Sequence, residues 1–202
     1  MISALTPETT AETLPLSQPL LVRKAQMRDI APLLRLINGY AAVGIMLPRT
    51  EFEISENIRD FTLIFAGDRL AGCGALHFYS PSVGEIRSLA VDSELKAHGI
   101  GGRLVEALVV EAEQYGLDAV FAFTYVVGFF TKAGFTEAER GLLPLKVWKD
   151  CLRCPKFDCC DEVAMVRVLR PEKWRQTHGQ VDEEESPLQI FRSQVMLPTV
   201  KK

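Results

Sequence analysis

The segment 96–103, with the sequence KAHGIGGR, combines three glycines with three basic side chains near the middle of the chain. Because glycine has no side chain, a ligand can approach the backbone of this segment closely. A helix is predicted to begin here, and the first turn of a helix leaves backbone N–H groups without partners. These N–H groups, the helix dipole and the charges of Lys96, His98 and Arg103 favour a phosphate or a diphosphate.

Two common phosphate-binding patterns do not fit this segment. The dinucleotide pattern G-x-G-x-x-G needs glycine at position 104, where the chain has Leu104. The P-loop pattern G-x-x-x-x-G-K-[ST] does not occur in the chain. A helix start with spare glycines is the alternative to an anion site, and the segment alone leaves both open.

The predicted elements place the glycines between a strand and a helix. Apolar spacing and turn residues predict strands at 20–24, 61–65, 69–78, 85–91, 119–124 and 161–169. Helices are predicted from 29 to the glycine at 44, and at 50–60, 99–115 and 127–133. The helix after strand 85–91 implies a parallel crossover, whereas the hairpins imply antiparallel pairs. The expected fold class is α/β (α+β), with a mixed, mostly antiparallel central sheet and helices on both faces.

Composition divides the 202 residues into one domain and two tails. Residues 1–18 are rich in Thr, Pro, Ser and Glu without periodicity, so we expect a flexible arm. Residues 19–170 form the domain. Residues 171–202 are a polar tail with an acidic run at 182–185, for which the sequence leaves two alternatives, disorder or packing on a partner.

Charge and hydropathy exclude several classes of protein. The net charge of −3 gives no basis for nucleic-acid binding, and no apolar run approaches the length of a membrane span. The N-terminus lacks the charged region and the long apolar region of a signal peptide, so we expect a cytoplasmic protein. Since thiols stay reduced in that compartment, the five cysteines are not expected to form a disulfide framework.

The residues 96–101, KAHGIG, resemble the acetyl-CoA loop of the GCN5-related N-acetyltransferases, usually written [RQ]-x-x-G-x-[GA] after a strand that ends in valine. Lys96 departs from the usual Arg or Gln but keeps the length and the charge. Three further segments resemble the third strand, the fourth strand and the closing segment of that family: RLAGCGALHFY, GEIRSLAV and YVVGFFTKAGF. The resemblance covers residues 20–170 and implies the acetyltransferase fold.

A narrower resemblance is to the acetyltransferase domain of N-acetylglutamate synthase, specifically to its short stand-alone relatives. It rests on four segments: GIMLPR, CGAL, EIRSLAV and LLPLKVWKDC. The family implies acetyl-CoA as donor, an amine as acceptor and direct transfer without a covalent enzyme intermediate.

The resemblance also assigns residues to the donor site. The diphosphate would be held by the backbone of Lys96, Ala97, His98, Gly99, Ile100, Gly101, Gly102 and Arg103. The pantetheine arm would pair with Leu89, Ala90 and Val91, and an exposed N–H near Leu89 would polarise the thioester carbonyl. Phe130 is assigned to the same site, because it stands where the family commonly has a tyrosine that protonates the leaving thiolate.

Two residues are proposed for proton transfer. The amine of an amino acid is mostly protonated at neutral pH and needs a base. Glu85 is the candidate, since the family often places a glutamate on this strand; alternatively it is a solvated carboxylate or pairs with Arg87, on the same face of the strand. Tyr125 could replace the missing tyrosine as the acid. The alternatives are a packed tyrosine, or a thiolate that leaves unaided.

Cationic side chains are expected to bind the carboxylate of an amino-acid acceptor. Arg49, Arg87 and Lys146 are the candidates, although each alone could be a surface charge. The cysteine pattern C-x2-C-x4-C-C at 151–160 is read as packed or surface thiols, with a metal site or a redox-sensitive thiol pair as alternatives. We expect no metal.

These observations predict an acetyl-CoA-dependent N-acetyltransferase for a small amino acid, with L-glutamate in arginine biosynthesis as the first choice. Another amine remains open as acceptor: a polyamine, an antibiotic or a protein N-terminus. A catalytically degenerate CoA-binding regulatory module is the alternative from a different class. The expected partner is a small molecule and neither a nucleic acid nor a membrane, and a homodimer stays open.

Overall fold

The computed structural model describes residues 19–96, 98–140, 151, 154, 156 and 159–178, and its core is one seven-stranded sheet. The strands are β1 (Leu20–Lys24), β2 (Phe61–Ala66), β3 (Arg69–Phe78), β4 (Val83–Val91), β5 (Ala119–Thr124), β6 (Thr136–Glu137) and β7 (Val163–Val168). The helices are α1 (Ile30–Ala42), α2 (Glu51–Glu56), α3 (Ile100–Gln114), α4 (Val127–Lys132) and α5 (Pro171–His178). Short 3-10 turns span Met27–Asp29, Ile58–Asp60 and Ser93–Leu95.

The strand order across the sheet is β1-β2-β3-β4-β5-β7-β6. Neighbouring strands are antiparallel except β4 and β5, which are parallel and connected through α3. This confirms the predicted mixed, mostly antiparallel sheet and its single crossover helix.

One face of the sheet is covered by α3 and α4. The apolar stripe of α3 includes Leu104, Leu108 and Ala112, all with no exposed area, which is the helical spacing expected for a buried face. Leu108 and Ala112 belong to one core cluster with Leu76 of β3 and Ile86 of β4. This packing fixes the beginning of α3 against the end of β4. The glycines at 99, 101 and 102 lie at this beginning and are called the glycine turn below.

The opposite face is covered by α1 and α2. Leu33 and Ile37 of α1 and Ile54 of α2 are buried against the sheet with Leu63 and Cys73. Helices therefore lie on both faces, as predicted. The predicted capping box also forms, because the Glu53 N–H donates to Thr50 Oγ1 at 3.2 Å and the Thr50 N–H donates to the Glu53 carboxylate at 2.8 Å. The helix it begins ends at Glu56, earlier than predicted.

Two elements were not predicted from the sequence. The strand β6 has only two residues, and its pairing with β7 is visible only in the folded chain. The helix α5 begins the polar segment after position 170, and Trp174 packs it onto a cluster that contains Phe121 and Val166. Residues 1–18 and 179–202 lie outside the described part, where the predicted arm and most of the predicted tail fall. No helix in the described ranges is long and apolar enough to cross a membrane.

Candidate functional site

The glycine turn joins β4 to α3 and presents the beginning of that helix to solvent. Gly99 is the N-cap of α3 with φ +73°, a left-handed conformation that favours glycine. The Arg103 N–H donates to the Gly99 carbonyl at 3.1 Å, so the helical hydrogen bonds begin there and the earlier N–H groups of α3 have no intrahelical acceptor. A Cβ built on Gly102 has no atom of its surroundings within 4 Å, whereas one on Gly101 meets the Phe129 ring at 3.2 Å.

The basic side chains of the turn take different directions. The His98 ring contacts the Lys96 carbonyl through Nδ1 at 3.0 Å and therefore braces the turn. The Lys96 ammonium lies 5.3 Å from the centroid of the Tyr40 ring on α1, a cation–π distance. Arg103 is exposed on the first turn of α3. Ile100 is buried in the core, and Ala97 lies outside the described residues.

A bulge in β4 separates the two halves of this strand. The register with β3 shifts between Cys73 and Ala75, and Ser88 on β4 has φ +51°, an uncommon conformation for a residue with a side chain. The parallel pairing of β4 with β5 extends only as far as Glu85–Phe121. Beyond that point the two strands are not paired in the described part of the chain, which leaves a gap beside Leu89; the other expected donor residues, Ala90 and Val91, are not among the described residues that line it.

This gap forms one end of a cavity of about 480 Å³. The loop after α1, the second half of β4, the end of β5 and the segment before β7 enclose it. Five of the predicted site residues line it together with Leu89, namely Arg49, Glu85, Arg87, Tyr125 and Phe130. Lys146 lies outside the described residues.

Glu85 is a buried carboxylate in the wall of this cavity, with 1% of its surface exposed. The Tyr79 hydroxyl donates to Glu85 Oε2 at 3.1 Å, which fixes the orientation of the carboxylate. Glu85 and Arg87 line the same cavity, as their spacing on the strand predicted. The cavity wall therefore holds a buried carboxylate in a fixed orientation.

Two arginines enter the cavity from different elements. Asn38 of α1 holds the backbone of Arg49, accepting from its N–H at 2.8 Å and donating to its carbonyl at 2.9 Å. Arg87 projects from β4, and its Nη2 lies 4.0 Å from the Asp60 carboxylate. Both guanidinium groups can bind a carboxylate in bidentate fashion.

Tyr125 lies at the open side of the cavity and Phe130 at its inner side. Lys156 donates to the Tyr125 hydroxyl at 3.1 Å and also pairs with Asp161 at 3.3 Å. Burial raises the pKa of Tyr125, an effect that the hydrogen bond from Lys156 partly opposes. Phe130 is 4% exposed and packs edge-on against Phe135. Because its ring has no hydroxyl group, it cannot donate a proton to a thiolate.

The sequence did not single out several residues of this cavity. Arg140 and Lys156 add two cations. Lys156 lies within the cysteine pattern, which the sequence predicts to be packed or surface thiols, with a metal site or a redox-sensitive thiol pair as alternatives. Cys151, Cys154 and Cys160 of that pattern also line the cavity. Among the described residues no group of three or more His, Cys, Asp or Glu side chains is arranged to hold a metal ion.

The chain matches the model of the acetyltransferase (GNAT) family over residues 38–135, a range that includes β4, the glycine turn and α4. It is 43% identical over 148 residues to the uncharacterised N-acetyltransferase CT2212 of Chlorobaculum tepidum, covering 73% of this chain and 96% of that protein. The chain therefore belongs to the GNAT family and is an N-acetyltransferase.

Two further relatives have more specific names. The chain is 33% identical over 135 residues to an amino-acid acetyltransferase of Mycobacterium tuberculosis, covering 65% of this chain and 77% of that protein. N-acetylglutamate synthase from Neisseria gonorrhoeae, solved with coenzyme A and N-acetyl-glutamate, superposes with a TM-score of 0.68 and 28% identity. That match covers 76% of this chain and 36% of the synthase, so this chain spans about a third of the longer enzyme. The resemblance to the GNAT family, and more narrowly to the acetyltransferase domain of N-acetylglutamate synthase, is therefore confirmed.

Proposed function

We propose that this enzyme transfers the acetyl group of acetyl-CoA to the α-amine of L-glutamate. The observation that carries the proposal is the cavity lined by Leu89, where the buried carboxylate of Glu85 lies among several cations. Four cations among the described residues line it, Arg49, Arg87, Arg140 and Lys156, against the two carboxylates of Glu85 and Glu162. A cationic cavity favours an acceptor with carboxylates over a polyamine or an aminoglycoside.

The glycine turn is the proposed donor site. The N–H groups at the beginning of α3 would bind the diphosphate of CoA, and the gap between β4 and β5 would admit the pantetheine arm. Support comes from the Neisseria gonorrhoeae synthase, whose structure contains coenzyme A. The backbone around Ser88 and Leu89, where the bulge interrupts regular pairing, would face the thioester carbonyl and stabilise its developing negative charge.

Glu85 is proposed as the base and Tyr125 as the acid. Glu85 takes one proton from the ammonium group of glutamate, and the neutral amine then attacks the thioester carbon to form the C–N bond. When the C–S bond breaks, the CoA thiolate takes a proton from Tyr125, and the surplus proton on nitrogen returns to the Tyr125 phenolate, while Glu85 later releases its proton to water. Lys156 would then stabilise the phenolate, since it already donates to the Tyr125 oxygen. Phe130 would only shape the wall of the cavity.

A panel of acceptors tests this proposal. The purified full chain is mixed with acetyl-CoA and with glutamate, glutamine, aspartate or spermidine, and free CoA is measured by chromatography. We expect kcat/KM for glutamate to exceed that for glutamine at least about tenfold, because glutamine has the same size but lacks the second carboxylate. Preference for spermidine would overturn the acceptor assignment. CoA binding without turnover of any amine would overturn catalysis itself.

A further inference from the structure

Next to Arg87 lies a pair of polar residues, Asp60 and His77, that are not among the described residues lining the cavity and that the proposed reaction does not use. Asp60 ends the 3-10 turn before β2, and His77 is near the end of β3. Asp60 Oδ2 lies 2.6 Å from His77 Nδ1 and 4.0 Å from Arg87 Nη2, so one oxygen faces both groups. Side-chain exposures of 13% for His77 and 9% for Arg87 show that most of this arrangement is shielded from water.

The sheet register explains why these groups meet. His77 is the cross-strand partner of Glu85, and Ala75 is the partner of Arg87, so these four side chains project from the same face. Asp60 reaches this face from the turn that precedes β2. Its backbone carbonyl accepts from Lys24 Nζ at 3.2 Å, which anchors the turn.

The two distances to Asp60 imply different functions. The 2.6 Å contact with His77 is a short hydrogen bond that fixes the direction of the carboxylate. The 4.0 Å separation from Arg87 is too long for a hydrogen bond but keeps a negative charge beside the guanidinium. A guanidinium has five N–H donors, so it can interact with more than one partner at a time.

We propose that Asp60 and His77 are positioning residues that aim Arg87 at a carboxylate of the acceptor. This inference rests on the proposed function, in which Arg87 binds the acceptor. Asp60 acts through Arg87, and His77 acts through Asp60. Neither touches the acceptor or the donor.

The test is a double-mutant cycle between Asp60→Asn and Arg87→Ala, with KM for glutamate as the readout. We expect Asp60→Asn alone to raise this KM about tenfold, with kcat and KM for acetyl-CoA changed less than about twofold. In the Arg87→Ala background the same substitution should have no further effect. An unchanged or lowered KM, or additive effects, would overturn the positioning role.

His77 supplies the second arm of the test. His77→Asn keeps a donor near the position of Nδ1 and should retain the wild-type KM, whereas His77→Ala should raise it. Equal KM values for these two variants would overturn the part assigned to His77. Asp68→Asn, the same change on an exposed turn, is the matched control. The CoA affinity and the melting temperature of each variant are compared with those of wild type to verify that the variant folds correctly.

The same experiment separates this inference from the function on which it rests. If Arg87→Ala leaves KM for glutamate unchanged, then Arg87 does not bind the acceptor and the proposed acceptor site is wrong. If Arg87→Ala raises this KM but Asp60→Asn does not, only the positioning role is wrong.

Discussion

Glu85 combines burial, a fixed orientation and a place in the cavity wall. Its exposure is 1%, and the Tyr79 hydroxyl donates a hydrogen bond to Glu85 Oε2. Burial of a carboxylate costs free energy unless hydrogen bonds or opposite charges compensate for it. A role of Glu85 as proton acceptor in the proposed reaction would explain why the fold keeps a carboxylate at this buried position.

We expect Glu85→Gln to lower kcat at least about 100-fold, because the amide accepts the Tyr79 hydrogen bond but cannot take a proton at neutral pH. Affinity for CoA, measured by calorimetry, should stay within about twofold of wild type. Glu162→Gln is the matched control, since Glu162 lines the same cavity and has no assigned proton transfer. A Glu85→Gln enzyme that keeps a substantial part of its kcat would remove Glu85 from the role of base.

At the scale of elements, the beginning of α3 holds the proposed donor site. Three features meet there: a left-handed N-cap at Gly99, N–H groups that have no intrahelical acceptor, and space over Gly102 that no described residue fills within 4 Å of a built Cβ. Packing of Leu104 and Leu108 against the sheet anchors the helix, and the Tyr40 hydroxyl donates to the Val91 carbonyl at 2.6 Å just ahead of the turn. The turn is therefore fixed from both sides before a ligand binds.

Gly102→Glu should weaken CoA binding at least about tenfold, because a carboxylate would face the diphosphate. The fold should not suffer, since a Cβ fits at this position and an acidic residue in the first turn stabilises a helix. Gly102→Gln, with nearly the same volume and no charge, separates repulsion from bulk. Calorimetric titration with CoA measures both variants. Wild-type affinity in Gly102→Glu would mean that the diphosphate binds elsewhere.

At the scale of the whole molecule, an ion pair connects the edge of the sheet to α1. Arg23 of β1 donates two hydrogen bonds to Asp29, at 2.7 and 2.8 Å, and Asp29 is 4% exposed. These bonds hold the pKa of Asp29 below its usual range, although burial acts in the opposite direction. The charged form of Asp29 is therefore favoured by folding.

Because its folded pKa is lowered, Asp29 contributes stability above its unfolded pKa and loses that contribution as pH falls through the folded value. We expect Asp29→Asn to lower the free energy of unfolding by about 2 kcal/mol at neutral pH. The difference from wild type should shrink progressively below about pH 4. Urea denaturation at several pH values measures it, with Asp68→Asn as an exposed control. A difference that is constant with pH would exclude the ionised carboxylate as its origin.

Local patterns predicted most of the elements and the glycine turn. The strand β5 begins and ends at the predicted residues, and the capping box at Thr50 forms, because spacing and caps act within a few residues. Glu85 and Arg87 share a face for the same reason. The roles of individual site residues stay predictions, and Ala97 and Lys146 lie outside the described part of the chain.

By itself, the sequence determined most of the elements, the mixed sheet and the resemblance to an acetyltransferase, because these depend on the spacing of residues that are close together in the chain. Only the tertiary structure decided how distant residues meet. Lys156 donates a hydrogen bond to the Tyr125 hydroxyl, and the Asp60 carboxylate lies 4.0 Å from Arg87 Nη2. These contacts depend on strand register and on the packing of helices against the sheet. Residue spacing along the chain carries no direct signal of either.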